Sequence, residues 1–203
     1  LFPYTTLFRS AKTAPMTIKA GASGAGSIHH LNLLALENGT GAKFNFIPYK
    51  GSAPSQNAAM TGEISLVVTS LAEQQQLIRS GKLRPLAMLI PDSFEVADVG
   101  TIPSAFADYP ALDKHLPISQ AIGFAILKTA PEEVKAVLKD AFTKAMATEK
   151  VQSWAKENYY LLSGKTGEAA AEEFNKLESN FAWTLWDLKA AKVDPATLGI
   201  PKP

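Results

Sequence analysis

Two glycine turns of one type lie close together in the chain. They are Gly21-Ala-Ser-Gly-Ala-Gly-Ser27 and Ile47-Pro-Tyr-Lys-Gly-Ser52, and each precedes an apolar run. A helix that begins just after a small-residue turn leaves its first N–H groups unpaired and exposes its positive dipole end. Both turns are therefore predicted to present backbone N–H groups to an anion such as a carboxylate or a phosphate.

Nucleotide-binding motifs are not completed at these turns. A Walker-type loop needs lysine and then serine or threonine after its second glycine, and Ser27-Ile28 stands there instead. The dinucleotide fingerprint needs glycine or alanine where His29 lies. Gly164-Lys165-Thr166 has the end of the Walker pattern, but Tyr159 occupies the position of its first glycine. Neither class of nucleotide site is predicted.

A catalytic set is not evident either. Only His29, His30 and His115 could act as a histidine base. A serine–histidine pair with Ser23 or Ser27 is conceivable, but the Gly-x-Ser-x-Gly pattern is absent. Adjacent histidines point about 100° apart on a helix and cannot chelate one metal ion together. We predict no catalytic residue, metal or cofactor, and expect one histidine to face the site, with packing of His30 under its own loop as the alternative.

Composition indicates a globular chain that can bury a substantial core. The 203 residues are 46% hydrophobic and 19% charged, and 20 basic against 19 acidic side chains leave a net charge of +1. Without a basic block, nucleic acid and anionic membrane surfaces are not predicted partners. No run of about 18 apolar residues occurs, so no membrane-spanning helix is expected. The absence of cysteine excludes disulfides and leaves the compartment open.

The first residues differ in character from the rest. Leu1 to Ser10 lack the basic leader, apolar stretch and cleavage site of a signal peptide. They also show no helical or strand periodicity, and they resemble read-through of adapter DNA. We therefore predict that residues 1–15 are a non-native or disordered leader.

Three strand–loop–helix steps follow from residue 16. The predicted strands cover residues 17–20, 44–47 and 64–68, and residues 86–90 add a fourth. Ser27 is predicted to cap a helix that Asn38-Gly39 ends, and Ser70 to cap a later one. This order predicts an α/β domain with a parallel sheet, whose ligands bind beyond the carboxyl ends of the strands. Both glycine turns and Thr69 lie at that edge.

The second half of the chain has fewer predicted strands. Residues 91–117 hold four prolines and no clear periodicity, which is typical of a crossover between domains. Strands are predicted at residues 121–128 and 159–162, between three helices. Two strands do not make a balanced sheet, so this half should need strands from elsewhere.

The ordered motifs resemble a known receptor family. Five further motifs follow the two glycine turns in the chain. They are Gly62-Glu-Ile64, Ser80-Gly-Lys-Leu-Arg-Pro-Leu-Ala87, Val99-Gly-Thr-Ile-Pro103, Gly123-Phe-Ala-Ile-Leu127 and Ala130-Pro-Glu-Glu-Val134. Together they resemble the second half of the Bug-type, or TctC-like, substrate-binding proteins of tripartite tricarboxylate transporters. The resemblance implies a two-lobed α/β clamp of the periplasmic-binding-protein type. It implies a non-enzymatic, monomeric periplasmic receptor that delivers a small organic acid to membrane transporter subunits.

The chain also departs from that family. Nothing matches the opening strand and the proline- and glycine-rich loop of the family's first lobe, so the opening half of that lobe is predicted to be missing. Residues 16–104 are expected to form the ligand-binding second lobe, and residues 105–203 the crossover and the C-terminal part of the first. Ser65 and Thr69 replace the aspartates that commonly flank the strand between them, and Thr69 is expected to disfavour ligands that carry an amino group.

The resemblance and the glycine turns together predict the ligand contacts. The primary anion contacts should be made by hydroxyl or N–H groups of Ser23 and Ser27 and by N–H groups of Ala25 and Gly26. The further predicted contacts are His30, Gly51, Ser52 and Thr69. The alternative is a small α/β hydrolase or transferase domain that uses the loop from Gly21 to Ser27 as an oxyanion or phosphate holder.

Overall fold

The structure, a computed structural model, describes residues 3–203. Its first part is built from three parallel strands, each followed by a helix. The strands are β1 (Lys19–Ala22), β2 (Asn45–Pro48) and β3 (Leu66–Val67), in the sheet order β2-β1-β3. The helices that follow them are α2 (Ile28–Thr40), α3 (Ser52–Met60) and α4 (Leu71–Arg79). This confirms the predicted three steps of an α/β domain.

The last three residues of the central strand β1, Ala20 to Ala22, are small, and neighbouring side chains pack closely against them. A Cβ atom at Gly21 would lie 2.5 Å from Ile64 Cδ1 and 2.9 Å from the Tyr49 ring. Ala20 and Ala22 on either side are fully buried. The glycine therefore leaves room on this face of β1 for the side chains of Ile64 and Tyr49.

Helix α2 ends later than the sequence predicted. Ser27 caps its start, since its hydroxyl accepts the His30 N–H at 3.2 Å. Its end is at Gly41, whose φ of 73° allows its N–H to donate to the Glu37 carbonyl at 2.8 Å. Gly39, predicted to end the helix, lies inside it. A Cβ there would be 2.5 Å from Leu112 Cδ2, so this glycine permits close packing.

The prediction that residues 1–15 are disordered is wrong for residues 3–13, which form helix α1 (Pro3–Thr13). Phe8 is 3% exposed and Ala11 is fully buried in the main core. The Phe8 ring centroid lies 6.2 Å from that of Phe44 and 5.8 Å from that of Tyr109. Leu7, Phe8 and Ala11 share one helical face, a stripe too short to register as periodicity. The non-native origin of the segment stays a prediction.

The segment after α4 differs from the prediction in two ways. No full strand forms at residues 86–90, where Met88 makes only an isolated parallel bridge to Ser104. Instead, β4 (Phe94–Val96) and β5 (Gly100–Ile102) form an antiparallel hairpin inside the proline-rich stretch. Its turn has Asp98 at φ 63°, and the Val99 N–H donates to the Val96 carbonyl at 3.1 Å. Two 3₁₀ turns follow, at Ala105–Ala107 and Pro110–Lys114.

The chain divides into two compact units. Unit 1 holds the described residues up to Ser119 together with Thr184–Asp194, and unit 2 holds Gln120–Trp183 and Pro195–Pro203. The division after Ser119 falls later than the boundary predicted at residue 104, because the 3₁₀ turns and the residues just after them pack into the core of unit 1 through Ala105, Leu112 and Leu116. The assignment of these parts to the two lobes of a receptor stays a prediction.

Unit 2 is built from helices. Helices α5 (Glu132–Met146) and α6 (Glu149–Glu157) lie within it, α7 (Gly167–Asp187) begins in it, and a 3₁₀ turn covers Pro195–Leu198. The strands predicted at residues 121–128 and 159–162 do not form. Phe124 is 95% exposed and Leu161 is fully exposed. A strand needs a hydrogen-bonded neighbour, and none of the described segments supplies one here.

None of the described helices combines the length and the apolar character needed to cross a membrane.

Replacement of Phe8 by alanine tests whether helix α1 belongs to the fold. Because the ring is buried, Phe8→Ala is expected to lower the free energy of unfolding by about 3 kcal/mol. Urea unfolding followed by circular dichroism measures it. The exposed neighbour provides the control, and Arg9→Ala should change the value by less than about 0.5 kcal/mol. Equal stabilities of the two variants would show that α1 contributes nothing to the core.

Candidate functional site

The loops that follow β1, β2 and β3 meet at the carboxyl edge of the sheet. The Gly51 N–H donates to the Ser23 carbonyl at 3.0 Å, which joins the first two loops. The Gln56 amide donates to Thr69 Oγ1 at 3.0 Å, which joins helix α3 to the third. Ser23, Gly51 and Thr69, predicted from separate parts of the sequence, are thus brought to one edge.

The glycine turn after β1 is closed by its own hydrogen bonds. Gly24 and Gly26 have φ values of 148° and 75°, which other residues rarely adopt. The Ser27 N–H and hydroxyl both donate to the Gly24 carbonyl, at 3.3 and 2.8 Å. The donors of Ser27 are therefore used inside the turn, and its contact with an anion stays a prediction.

The His30 side chain is hydrogen-bonded to the same turn. Its Nδ1 accepts the Gly26 N–H at 3.1 Å, and its ring stacks on Phe46 with centroids 4.0 Å apart. Burial lowers the pKa of His30, with Glu37 acting in the opposite direction. A neutral ring with its lone pair on Nδ1 matches this bond. The structure thus agrees with the packing alternative, and ligand contacts by His30 and by the Gly26 N–H stay predictions.

Most of the backbone N–H groups that remain unpaired at this turn were not predicted from the sequence. Within the described part of the chain, the N–H groups of Ala25, Ile28 and His29 have no hydrogen-bond acceptor. Ala25 was predicted, whereas Ile28 and His29 were not. They are the first two residues of α2, where an α-helix leaves its N–H groups without internal partners. The cap at Ser27 was the signal that could have identified them.

The N-terminus of helix α3 is open in a similar way. Gly51 precedes it with φ 117° and provides no side-chain cap. Among the described contacts, the N–H groups of Ser52 and Ala53 have no acceptor, and Pro54 has no N–H. Ser55 is fully buried and its hydroxyl donates to the Ser52 carbonyl at 2.8 Å. The predicted pair Gly51-Ser52 therefore lies at a second helix N-terminus with unused donors.

Thr69 presents its hydroxyl beside these two termini. Its oxygen accepts the Gln56 amide, and its carbonyl accepts the Gln74 amide at 2.8 Å. The Thr69 hydroxyl hydrogen has no acceptor among the described residues. Helix α4, which follows, differs from α2 and α3 because Glu73 caps its start: Glu73 Oε2 accepts the Ser70 hydroxyl at 2.7 Å and the Ser70 N–H at 3.3 Å.

Ser23 and His29, considered as a possible pair from the sequence, lie close together, and Glu73, which the sequence did not indicate, lies on the other side of the His29 ring. Ser23 Oγ is 2.7 Å from His29 Nδ1, and His29 Nε2 is 3.7 Å from Glu73 Oε2. His29 is 6% exposed. Burial lowers its pKa, and Glu73 offsets part of this effect. The residue types are those of a hydrolytic triad, but Glu73 lies beyond hydrogen-bond distance of the ring and its carboxylate is bonded to Ser70.

Within residues 3–203, no group of three histidine or acidic side chains is arranged to hold a metal ion.

Comparison with known proteins assigns the chain to a family. Residues 2–177 match the family described as "Tripartite tricarboxylate transporter family receptor". The chain is 29% identical over 142 residues to the "UPF0065 protein in clcB-clcD intergenic region" of Pseudomonas knackmussii, covering 64% of this chain and 75% of that protein. It is 34% identical over 86 residues to "Protein BugT" of Bordetella pertussis, covering 42% and 26%.

Solved structures show the same fold. One titled "Structure of a periplasmic transporter" superposes with a TM-score of 0.74 at 26% identity, covering 95% of this chain and 63% of the other. The periplasmic binding protein BugD superposes with a TM-score of 0.66 at 18% identity, covering 98% and 62%. The chain therefore spans less than two thirds of the length of these structures. The predicted fold class, a partial α/β clamp of the periplasmic-binding-protein type, is confirmed, and the chain belongs to the tripartite tricarboxylate transporter receptor (TctC) family.

Proposed function

We propose that this chain is the carboxylate-binding part of a periplasmic receptor that captures a small organic acid and delivers it to a tripartite tricarboxylate-type membrane transporter. The observation that carries the proposal is the pair of helix N-termini, α2 and α3, whose first N–H groups are unpaired at one edge of the sheet. The proposed receptor is monomeric, acts without a cofactor and is not an enzyme.

The electrostatics of this edge favour a carboxylate over α2 and α3. Each N–H that donates to a charged acceptor contributes about 1.5–3 kcal/mol, and each helix dipole adds about 0.3–1 kcal/mol. The start of α4 is already neutralised by Glu73, whose negative charge repels a second anion. A ligand carboxylate is therefore proposed to bind between the Ile28 and Ser52 ends, with the Thr69 hydroxyl as a further donor.

Unit 2 supports the view that the receptor is longer than this chain. Helix α5 has no fully buried side chain, and Phe124, Leu127 and Leu161 are largely exposed. Exposed apolar side chains of this size are typical of a surface that another segment covers. We propose that the missing half of the first lobe supplies that segment and the strands that residues 121–128 and 159–162 need as partners.

The alternative hypothesis, that the chain is a hydrolase or transferase domain, has less support. Its best feature is the short contact between Ser23 Oγ and His29 Nδ1. A hydrolytic triad also needs an acid hydrogen-bonded to the base, and the 3.7 Å separation of His29 and Glu73 does not meet that need.

Binding of organic acids to this chain is the first test. Adipate, citrate and benzoate are titrated in turn while amide resonances are followed by NMR, which detects weak binding. We expect saturable shifts at the N–H groups of Ala25, Ile28, His29, Ser52 and Ala53. The neutral amides adipamide and benzamide are the controls and should give none. The absence of such shifts with all three acids would contradict the proposal.

The donor at Ile28 can be removed without changing the helix. Ile28 is the first residue of α2, and Ser27 before it has φ −71° and ψ 162°, so proline fits there. Ile28→Pro should weaken binding of the acid about tenfold or more, because it deletes one hydrogen bond to a charged group. Ile28→Ala loses the side chain but keeps the N–H. Equal affinities of the two variants, measured by NMR titration, would exclude this donor.

Thr69 is proposed to disfavour ligands with an amino group. Thr69→Asp should change the preference between glutamate and glutarate by about tenfold in favour of glutamate, since an aspartate pairs with the ammonium group. Thr69→Ser, which keeps the hydroxyl, is the control and should preserve the preference. An unchanged ratio of the two affinities in Thr69→Asp would contradict this role.

A further inference from the structure

Buried His29 makes no hydrogen bond through its Nε2. The nearest charged group is Glu73, whose Oε2 lies 3.7 Å away. At that distance a hydrogen on Nε2 is attracted to the carboxylate, whereas a lone pair would be repelled. The neutral ring should therefore carry its one hydrogen on Nε2.

The position of this hydrogen decides what Ser23 can do. With the hydrogen on Nε2, Nδ1 holds a lone pair and can only accept a hydrogen bond. Ser23 Oγ lies 2.7 Å from Nδ1 and must then donate its only hydrogen to the ring. The serine oxygen presents lone pairs alone to the loop edge, which disfavours a carboxylate beside it.

Protonation of His29 reverses this arrangement. The charged ring carries hydrogens on both nitrogens, so that Nδ1–H donates to Ser23 Oγ and Nε2–H faces Glu73. The serine hydrogen is then free to donate to a ligand oxygen. Only one proton is taken up from the solvent, by His29, and no covalent bond other than the new N–H is formed.

We propose that His29 is a positioning residue that links carboxylate binding to the uptake of one proton, through the hydroxyl of Ser23. This inference rests on the proposed function, since it concerns the same anion site. Affinity for a carboxylate increases as the pH falls, and a bound carboxylate in turn raises the pKa of His29.

The surroundings of His29 support a response to ligand. Glu73 on α4 is the charged group that acts on the ring among the described residues, while Ser23 on the loop is neutral. Burial lowers the pKa of His29 in the absence of ligand, so the ring is neutral near pH 7. A ligand oxygen that accepts the Ser23 hydrogen favours the protonated ring, because only that ring leaves the hydrogen free. His30 on the next position differs because its Nδ1 accepts a backbone N–H.

The first measurement needs no ligand. Long-range ¹H–¹⁵N NMR correlations of the ligand-free protein near pH 8 identify which ring nitrogen of His29 carries the hydrogen. We expect the hydrogen on Nε2. A hydrogen on Nδ1 would leave the serine hydroxyl free at every pH and would overturn the inference.

The second measurement follows the pKa of His29 by NMR with and without saturating adipate, citrate or benzoate. An acid that binds is expected to raise this pKa by about 1, equivalent to about tenfold tighter binding to the protonated protein. The pKa of His30 should change less. Ser23→Ala should lose most of the rise at His29, and Ser23→Thr, which keeps a hydroxyl, should restore it.

The outcomes separate the two proposals. If an acid binds but the pKa of His29 is unchanged, or rises equally in Ser23→Ala, the proton link is wrong while the receptor function stands. If none of the three acids binds at any pH, the proposed function fails and the inference fails with it. If Ser23→Ala does not fold, two measurements on the unmodified protein still test the inference. They are the position of the hydrogen on the His29 ring and the change in the pKa of His29 when an acid binds.

Discussion

Close parallel pairing on both sides of β1 determines where every candidate ligand donor lies. The Tyr49 N–H donates to the Ala22 carbonyl and the Val68 N–H to the Gly21 carbonyl, so the strands on either side end level with β1. Gly21 adds close packing on one face of β1, since a Cβ atom there would lie 2.5 Å from Ile64 Cδ1 and 2.9 Å from the Tyr49 ring. Because the three strands run parallel, the helix starts at Ile28 and Ser52 that follow β1 and β2 lie at the same edge of the sheet.

The three helix starts that meet there are not equivalent. Those of α2 and α3 keep unpaired N–H groups, whereas Glu73 neutralises that of α4. The site therefore gains its positive character from the backbone. In the proposed receptor, such a site would bind the carboxylate group, and the rest of the ligand would contact the other lobe of the clamp. Solved structures of the same fold are longer than this chain, which covers 63% of one and 62% of another.

The sequence predicted the parallel sheet and the edge at which the glycine turns lie because both depend on local signals. Glycine turns, β-branched runs and Ser27 as a helix cap act within a few residues. It misjudged Gly39, whose role depends on Leu112 far along the chain. It also missed the burial of Phe8 in helix α1 and the proximity of His29 to Glu73. Both depend on contacts between residues far apart in the chain, which local sequence spacing does not indicate. The strand predicted at residues 121–128 did not form, because pairing needs a neighbour that the described chain does not supply.

The position of a bound carboxylate tests the central claim most directly. Crystals of the protein with p-bromobenzoate would locate the ligand by the anomalous signal of bromine, and its carboxylate by the electron density. We expect the carboxylate oxygens within about 3 Å of the Ile28 and Ser52 nitrogens, at the starts of α2 and α3. A carboxylate held instead by lysine or arginine side chains, away from both helix starts, would contradict the account.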